Sequence, residues 1–292
     1  MLDYSGIIKK LFGTDTQITG IRTVFGGDIN AACLLTLSDG NRVFLKENTK
    51  ENVRFFETET AGLSAIRSTG TIRVPEVLET GICENQSYLV MEYLEAAPEK
   101  KAFWECFGRQ LAAMHRADPS EWTPGGTYGF MENNFIGAGR QKNNIRGSWI
   151  EFFRDCRLDA QFHRAQEYFD TSGRRAMQRL LDHLDEYLTE PVFPSLLHGD
   201  LWSGNYVTGP DGYAWLIDPA VYVGHAEADL AMTELFGGFA QGFYDAYREA
   251  NTILPGYAER RDLYNLYHLL NHLNLFGRSY YQAVIRILKM FQ

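Results

Sequence analysis

An aspartate, an asparagine five positions on and a second aspartate thirteen positions further are the residues of this chain best placed to do chemistry. They are Asp200 and Asn205 in His198-Gly199-Asp200-Leu201-Trp202-Ser203-Gly204-Asn205, and Asp218 in Trp215-Leu216-Ile217-Asp218-Pro219. Phosphoryl transfer to an alcohol needs a carboxylate to accept the hydroxyl proton and an oxygen ligand for Mg²⁺ close by. Asp200 and Asn205 have the spacing of the Asp and Asn in a kinase catalytic loop. A second Mg²⁺ ligand is needed because the metal bridges β- and γ-phosphate oxygens. Asp218, at the end of a short apolar strand pattern, fits that role. His-Gly-Asp alone reads equally as an ordinary turn; the three residues together do not. His198 reads as a brace of this loop rather than as a base or metal ligand, because no second histidine stands at metal-ligand spacing.

A nucleotide also needs cations and backbone donors. Lys46 ends a strand pattern on the face of Phe44, where an ammonium can reach the α- and β-phosphates; a solvated strand-end lysine is the plainer alternative. Its partner must come from the helix that follows, which offers Glu57 and Glu59. At about 100° per residue, Glu59 falls between Leu63 and Ile66 on the apolar stripe and Glu57 on the far side. A carboxylate on a buried stripe is costly without a cation, which selects Glu59. Gly26-Gly27-Asp28-Ile29-Asn30 lets backbone N–H groups approach phosphates. It matches neither G-x-G-x-x-G nor a Walker A motif, and a plain turn fits it as well. Glu92-Tyr93-Leu94 reads as the lobe junction, with Glu92 and Leu94 offering backbone hydrogen bonds to adenine or forming a simple linker. Trp202 can pack on the C–H face of a sugar acceptor or between loop and helix.

The elements that must position these residues fall into two parts. Residues 1–93 read as a strand-rich α/β unit that binds the nucleotide. Runs 31–37 and 42–46 flank Ser38-Asp39-Gly40-Asn41, a hairpin signal. A helix spans 52–66, an extended run opens at Val74, and 87–93 suits a buried strand. Residues 94–292 read as a helical catalytic and substrate lobe. Its apolar stripes are Trp104, Phe107, Leu111 and Met114, then Leu180, Leu181, Leu184 and Leu188, then Leu263 through Phe276. Residues 119–147, rich in Gly and Asn, read as a long functional loop that includes Asn134, Gln141 and Asn143. The fold class is therefore α+β, two-lobed and protein-kinase-like.

Composition narrows the partners. With 292 residues, 45% apolar and 22% charged, the chain has an ordinary globular make-up. A formal net charge of −9 disfavours nucleic-acid binding through phosphates. Four cysteines without a CxxC pair point to a reducing compartment. The first residues, MLDYSGIIKKLFG, lack the apolar core of a signal peptide, and no run reaches the length of a membrane span. The expectation is a cytoplasmic protein without membrane or nucleic-acid partners.

These stretches resemble the fructosamine kinases, also called ketosamine 3-kinases, within the aminoglycoside phosphotransferase and choline kinase superfamily. The resemblance is carried by LLHGDLWSGN (196–205), IDPAVYVGHAEADLAM (217–232), LFGGF (235–239) and LYHLLNHLNLFGRSYY (266–281). NNFIG (133–137), Gln141, Asn143 and WIEFFRDCRLDAQ (149–161) add to it, as do GGDIN, FLKEN, FFETETAGLSAI and LVMEYL in the first lobe. HGDxxxxN with a later Asp is shared across the superfamily; the longer stretches are narrower. Asp28 stands at a variable position of the glycine-rich loop. The resemblance implies ATP- and Mg²⁺-dependent phosphorylation of the 3-hydroxyl of a ketosamine, free or protein-bound, and so deglycation of its amine. The alternatives are a kinase of another small alcohol or aminoglycoside, and a nucleotide-binding protein without catalysis. The joint presence of Lys46, Asp200, Asn205 and Asp218 argues against the last. The sequence does not specify an oligomeric state.

Overall fold

The computed structural model describes residues 2–24 and 29–291. Helix α1 (Tyr4–Phe12) opens the chain, capped by Asp3, whose carboxylate accepts from the Gly6 N–H at 2.9 Å. Strands β1 (Ile18–Val24), β2 (Ala31–Leu37) and β3 (Arg42–Thr49) follow, then α2 (Val53–Ser68), β4 (Val77–Cys83) and β5 (Gln86–Glu92). The strands form one antiparallel sheet in the order β1-β2-β3-β5-β4. The β2–β3 hairpin turns where the sequence signal stands, with Gly40 at φ +86° and Leu37 N–H donating to Asn41 O at 2.8 Å.

Side-chain alternation decides what each face of the sheet does. Val43, Leu45, Tyr88 and Val90 face α1 and enclose Ile7 and Ile8. Phe44, Leu89 and Met91 face the other way, onto Phe56 of α2. Lys46, two residues after Phe44, therefore emerges on the α2 side. Apolar strands covered on both faces explain why β5 reads as a continuous apolar run.

The rest of the chain is mainly helical. Helix α3 (Phe103–Arg116) precedes a segment that the sequence pattern presents as one long loop. It contains a short 3₁₀ turn (Ser120–Trp122) and a hairpin of β6 (Asn134–Ile136) and β7 (Gly139–Gln141). These strands are three residues each, too short to leave a period in the sequence. Helices α4 (Trp149–Phe152) and α5 (Asp159–Ala165) are joined by a π-helical stretch over Phe153–Leu158. The leucine stripe at 180–188 is not one helix. It breaks at His183 (φ −119°, ψ 23°) into α6 (Thr171–Asp182) and α7 (Leu184–Tyr187), with Leu188 beyond. All four leucines are nonetheless buried, so the stripe is correct as a core and wrong as a continuous helix. Pairs β8 (Ser195–Leu197) with β11 (Tyr222–Gly224) and β9 (Tyr206–Thr208) with β10 (Ala214–Leu216) carry the loops of interest. Helices α8 (Glu227–Leu235), α9 (Gln241–Ala250), α10 (Tyr257–Phe276) and α11 (Tyr281–Leu288) complete the chain. All four cysteines are free thiols. No helix among the described residues is long and apolar enough to cross a membrane.

The large core is not confined to the helical part. Leu63, Ala65 and Ile66 of α2, with Ile72 and Val74, belong to it. The Leu216 N–H donates to Arg73 O at 2.9 Å, tying the segment before β4 to the strand that leads to Asp218. Phe55 of α2 packs on Phe135 of the β6–β7 hairpin, with ring centroids 4.2 Å apart, and Arg54 pairs with Glu132 beside them. Helix α2, which carries Glu59, is thus held from both sides.

Helices α3 and α9 approach closely because Gly108 has no side chain: a Cβ there strikes the Phe243 carbonyl oxygen. Gly108→Ala should lower the melting temperature despite alanine's better helix propensity of about 1 kcal/mol. Overpacking against backbone costs about 1–3 kcal/mol. Calorimetry of the variant checks this; an unchanged or raised melting temperature contradicts the close approach.

Candidate active site

The loop from β8 to β9 carries His198 through Asn205 and is shaped by a glycine and a buried carboxylate. Gly199 sits at φ +83°, and a Cβ there collides with the Ala220 carbonyl oxygen. Only glycine lets the loop pass under the strand that follows Asp218. Asp229 of α8, 1% exposed, accepts from the backbone N–H of His198 at 2.7 Å and of Gly199 at 2.8 Å. It also meets His115 Nε2 of α3 at 3.1 Å, while His115 Nδ1 lies 2.8 Å from the Tyr247 hydroxyl. Asn251 donates to the same hydroxyl at 2.9 Å. Desolvation pushes the Asp229 carboxyl up; the hydrogen bond and charge of His115, with the N–H groups, outweigh it and hold the group below the usual range. His198, fully buried, lies with Nε2 2.9 Å from Ile217 O, and Ala220 N–H donates to His198 O at 2.8 Å. His198 thus braces the two loops against each other, and desolvation keeps its imidazole below the ordinary range.

Asp200 emerges beside this frame. Asn205 Nδ2 donates to Asp200 O at 2.8 Å and to Asp200 Oδ2 at 3.1 Å. The Asn205 carboxamide therefore turns its oxygen away from Asp200, and Asp200 Oδ1 stays free of that bond. Desolvation pushes the Asp200 carboxyl up to about 7 against the hydrogen bond from Asn205, with the charges of Asp218 and Asp229 adding to the rise. A base near neutrality is well matched to proton transfer.

Across the cleft, Lys46 Nζ donates to Glu59 Oε1 at 2.7 Å and also to Asp218 Oδ1. Glu57 instead pairs with Arg54 on the surface of α2 at 2.8 Å. Lys46 is nearly buried, with 12% of its side chain exposed, so desolvation opposes its charge. The charges of Glu59 and Asp218 and the hydrogen bonds to both win, and the ammonium is held above the ordinary lysine range. The same ammonium pulls the Asp218 carboxyl down in spite of desolvation. Glu59 is pushed up by desolvation and by the nearby Asp218, with Lys46 opposing. One cation shared by two carboxylates leaves Asp218 ionised and side-chain-accessible at 48%. Asp218 occupies the left-handed region, φ +52°, which aspartate tolerates better than most residues.

Asn205 and Asp218 stand on adjoining loops, joined where the Ile217 N–H donates to Asn205 O at 3.1 Å. Among the described residues no group of three His, Cys, Asp or Glu side chains is arranged for a metal.

The remaining sequence candidates divide. Gly26 and Gly27 lie outside the described residues. Glu92 donates its N–H to Glu76 O at 2.8 Å, so only its carbonyl can face a base, while Leu94 follows the strand, partly buried. Trp202 is 37% exposed, with its indole over Gly204 and edge-to-face with Phe236 at 6.0 Å. Phe236 continues to His272 at 5.0 Å, and His272 to Tyr280 at 5.0 Å, forming a run of aromatic rings that begins at Trp202.

Asn134, Gln141 and Asn143 do not line the cleft. They are 4%, 2% and 1% exposed. Asn134 donates to Val221 O at 2.8 Å, Gln141 to Ala220 O at 2.9 Å, and both Gln141 and Asn143 donate to Asn134 Oδ1. The Tyr267 hydroxyl donates to Gln141 Oε1 at 2.6 Å, and Arg157 to Asn143 Oδ1 at 2.8 Å. The layer clamps the hairpin onto the strand after Asp218. Sequence reasoning places these polar residues in a long functional loop. It missed Asp229 and His115 as supports, because a single buried acid on a helix leaves no spacing signal.

The fructosamine kinase family model matches residues 2–291. The chain belongs to the fructosamine kinase family. A Synechocystis protein called "probable ketoamine kinase" is 40% identical over 289 residues, covering 97% of this chain and 93% of the relative. The chloroplastic protein-ribulosamine 3-kinase of Arabidopsis thaliana is 38% identical over 282 residues, covering 94% and 83%. A crystal structure from Thermobifida fusca, provisionally named fructosamine-3-kinase, superposes with a TM-score of 0.84 at 29% identity, covering 98% and 97%. An aminoglycoside phosphotransferase solved with AMP-PNP and hygromycin B shares the fold, with a TM-score of 0.66 at 18% identity over 99% of this chain and 98% of that one. The protein is a phosphotransferase with an alcohol acceptor and the two-lobed kinase-like fold.

Removal of Asp229 should expose how much the site leans on it. Asp229→Ala leaves two backbone N–H groups and His115 without their buried partner, a loss of about 3–5 kcal/mol. The depressed carboxyl contributes stability above its unfolded pKa of about 3.9, and that contribution is lost as pH falls through the lower folded value. Asp229→Asn should therefore show a flatter stability curve than wild type below about pH 4. Denaturant midpoints measured across acid pH check this; parallel curves for the two proteins contradict it.

Proposed function

We propose that the protein uses ATP and Mg²⁺ to phosphorylate the 3-hydroxyl of ketosamines, fructosamines or ribulosamines, and so starts deglycation of the amine. The observation that carries this reading is family membership over residues 2–291 in a chain whose cleft brings Asp200, Asn205, Asp218 and Lys46 together. Asp200 is the base: its Oδ1 accepts the acceptor proton while Asn205 fixes Oδ2. Lys46, held by Glu59, binds the α- and β-phosphates. Asp218 and Asn205 are the residues that would hold Mg²⁺, which would supply positive charge against that developing on the phosphates. The Glu92 carbonyl and Leu94 N–H serve adenine, and Gly26 and Gly27 serve the phosphates. Trp202 offers an apolar wall to the C–H face of the sugar. In this reading residues 1–93 form the nucleotide lobe and 94–292 the catalytic and acceptor lobe.

ATP consumption against ribulosyl-lysine, fructosyl-lysine, choline and an aminoglycoside tests the assignment. Turnover confined to the ketosamines is expected, and activity confined to choline or the aminoglycoside overturns it. Asp200→Asn should lower kcat by about 10²–10⁴ while nucleotide affinity stays near wild type, because general-base assistance is of that size. Retention of more than about a tenth of kcat removes Asp200 from that role. Asp218→Ala should weaken the Mg²⁺ dependence of ATP binding; an identical Mg²⁺ titration speaks against a ligand. Trp202→Ala should cost about 1–3 kcal/mol in kcat/KM for the ketosamine with the KM for ATP unchanged. A parallel loss for both substrates, with a lowered melting temperature, makes Trp202 a packing residue instead.

A further inference from the structure

His268 on α10 is 2% exposed, and its Nδ1 has no hydrogen-bond partner among the described residues. That orphaned atom lies 4.0 Å from Asp200 Oδ1, the oxygen that Asn205 does not engage. Buried polar atoms are paired in the great majority of cases, and an exception calls for a reason. We propose that His268 is a positioning residue for the catalytic base, donating from Nδ1–H to Asp200 Oδ1 and locking the carboxylate in the orientation that receives the acceptor hydroxyl. The inference rests on Asp200 being that base.

The chemistry of the pair selects this role over a proton relay. Burial first, then His272 and Arg157, drive the His268 imidazole down to about 3 in spite of the charge of Asp229. A neutral imidazole carries one N–H. With the proton on Nε2, the Nδ1 lone pair faces an anionic oxygen; with it on Nδ1, a donor faces an acceptor. The second tautomer is the stable one beside an ionised Asp200. A ring that stays neutral cannot store the proton taken from the acceptor, so it orients the carboxylate and leaves proton acceptance to Asp200.

The separation of 4.0 Å is longer than a hydrogen bond, and a small rotation of the carboxylate or the ring about its side-chain bonds closes it. Catalytic hydrogen bonds tighten in the reactive complex. Two anchors then fix the carboxylate plane, Asn205 Nδ2 on Oδ2 and His268 Nδ1 on Oδ1, and one lone pair of Oδ1 remains for the hydroxyl. The ring is held by its place in the helix, packing edge-to-face on Tyr267 at 5.0 Å, while His268 O sits 2.8 Å from Nδ1 of His272.

Two measurements decide the matter. Nitrogen-15 NMR of histidine-labelled protein should show His268 as the Nδ1–H tautomer, with its Nδ1 signal shifting in Asp200→Asn. An Nε2–H tautomer, or a signal indifferent to that change, overturns the proposal, and this readout does not depend on which acceptor the enzyme uses. In kinetics, His268→Leu, which keeps apolar volume and removes the donor, should lower kcat about 10–100-fold with the KM for ATP unchanged, the size expected of a misplaced catalytic group. His268→Asn, which puts an amide N–H near the Nδ1 position, should recover most of that loss. A leucine variant with wild-type kcat, or an asparagine variant as impaired as the leucine one, overturns it. A wild-type enzyme inactive on every ketosamine speaks against the proposed substrate alone, because the NMR result still decides His268.

Discussion

The acceptance of two consecutive backbone N–H groups, from His198 and Gly199, by the buried Asp229 carboxylate is the interaction on which the site depends. A carboxylate that deep is stable only when its oxygens are saturated, and here His115 completes the set. Tyr247 and Asn251 extend the chain of bonds from α9. Helices α3, α8 and α9 are thereby fastened to one turn of loop, and Asp200 is presented by the helical core rather than by a free segment.

The opposite wall is governed by electrostatics. Lys46 satisfies Glu59 and Asp218 together, which couples the sheet, helix α2 and the loop after β10 through one ammonium. Such a cluster, open to solvent at Asp218, is sensitive to the charge that approaches it. The buried layer of Asn134, Gln141 and Asn143 works beneath, holding the backbone just past Asp218 at Ala220 and Val221. The Phe55–Phe135 contact then links the same hairpin to α2, so both walls share a support.

Much of this was legible in the sequence, for identifiable reasons. Asp200, Asn205 and Asp218 are close in the chain, and their residue types and spacing carry chemistry directly. The choice of Glu59 over Glu57 follows from helical phase, and the structure pairs Glu59 with Lys46. The β2–β3 hairpin follows from its turn residues. What was not legible depends on long-range contact. Asp229 and His115 are 114 residues apart and look like any helical polar residues until the helices are packed. The Asn and Gln residues of the β6–β7 hairpin look like a wet loop because a buried, fully bonded amide layer has the composition of an exposed one. The break at His183 and the three-residue strands are set by tertiary packing over weak local preference.

Family membership and cleft geometry meet in one claim, that the phosphoryl group is placed on the 3-oxygen of a ketosamine. Phosphorus–proton correlation NMR of the product formed from ribulosyl-lysine, with ATP and Mg²⁺, tests it most directly. The account predicts a phosphate coupled to the proton on C3, followed by release of free lysine as the adduct decomposes. A phosphate on any other oxygen, with the amine linkage left intact, contradicts it.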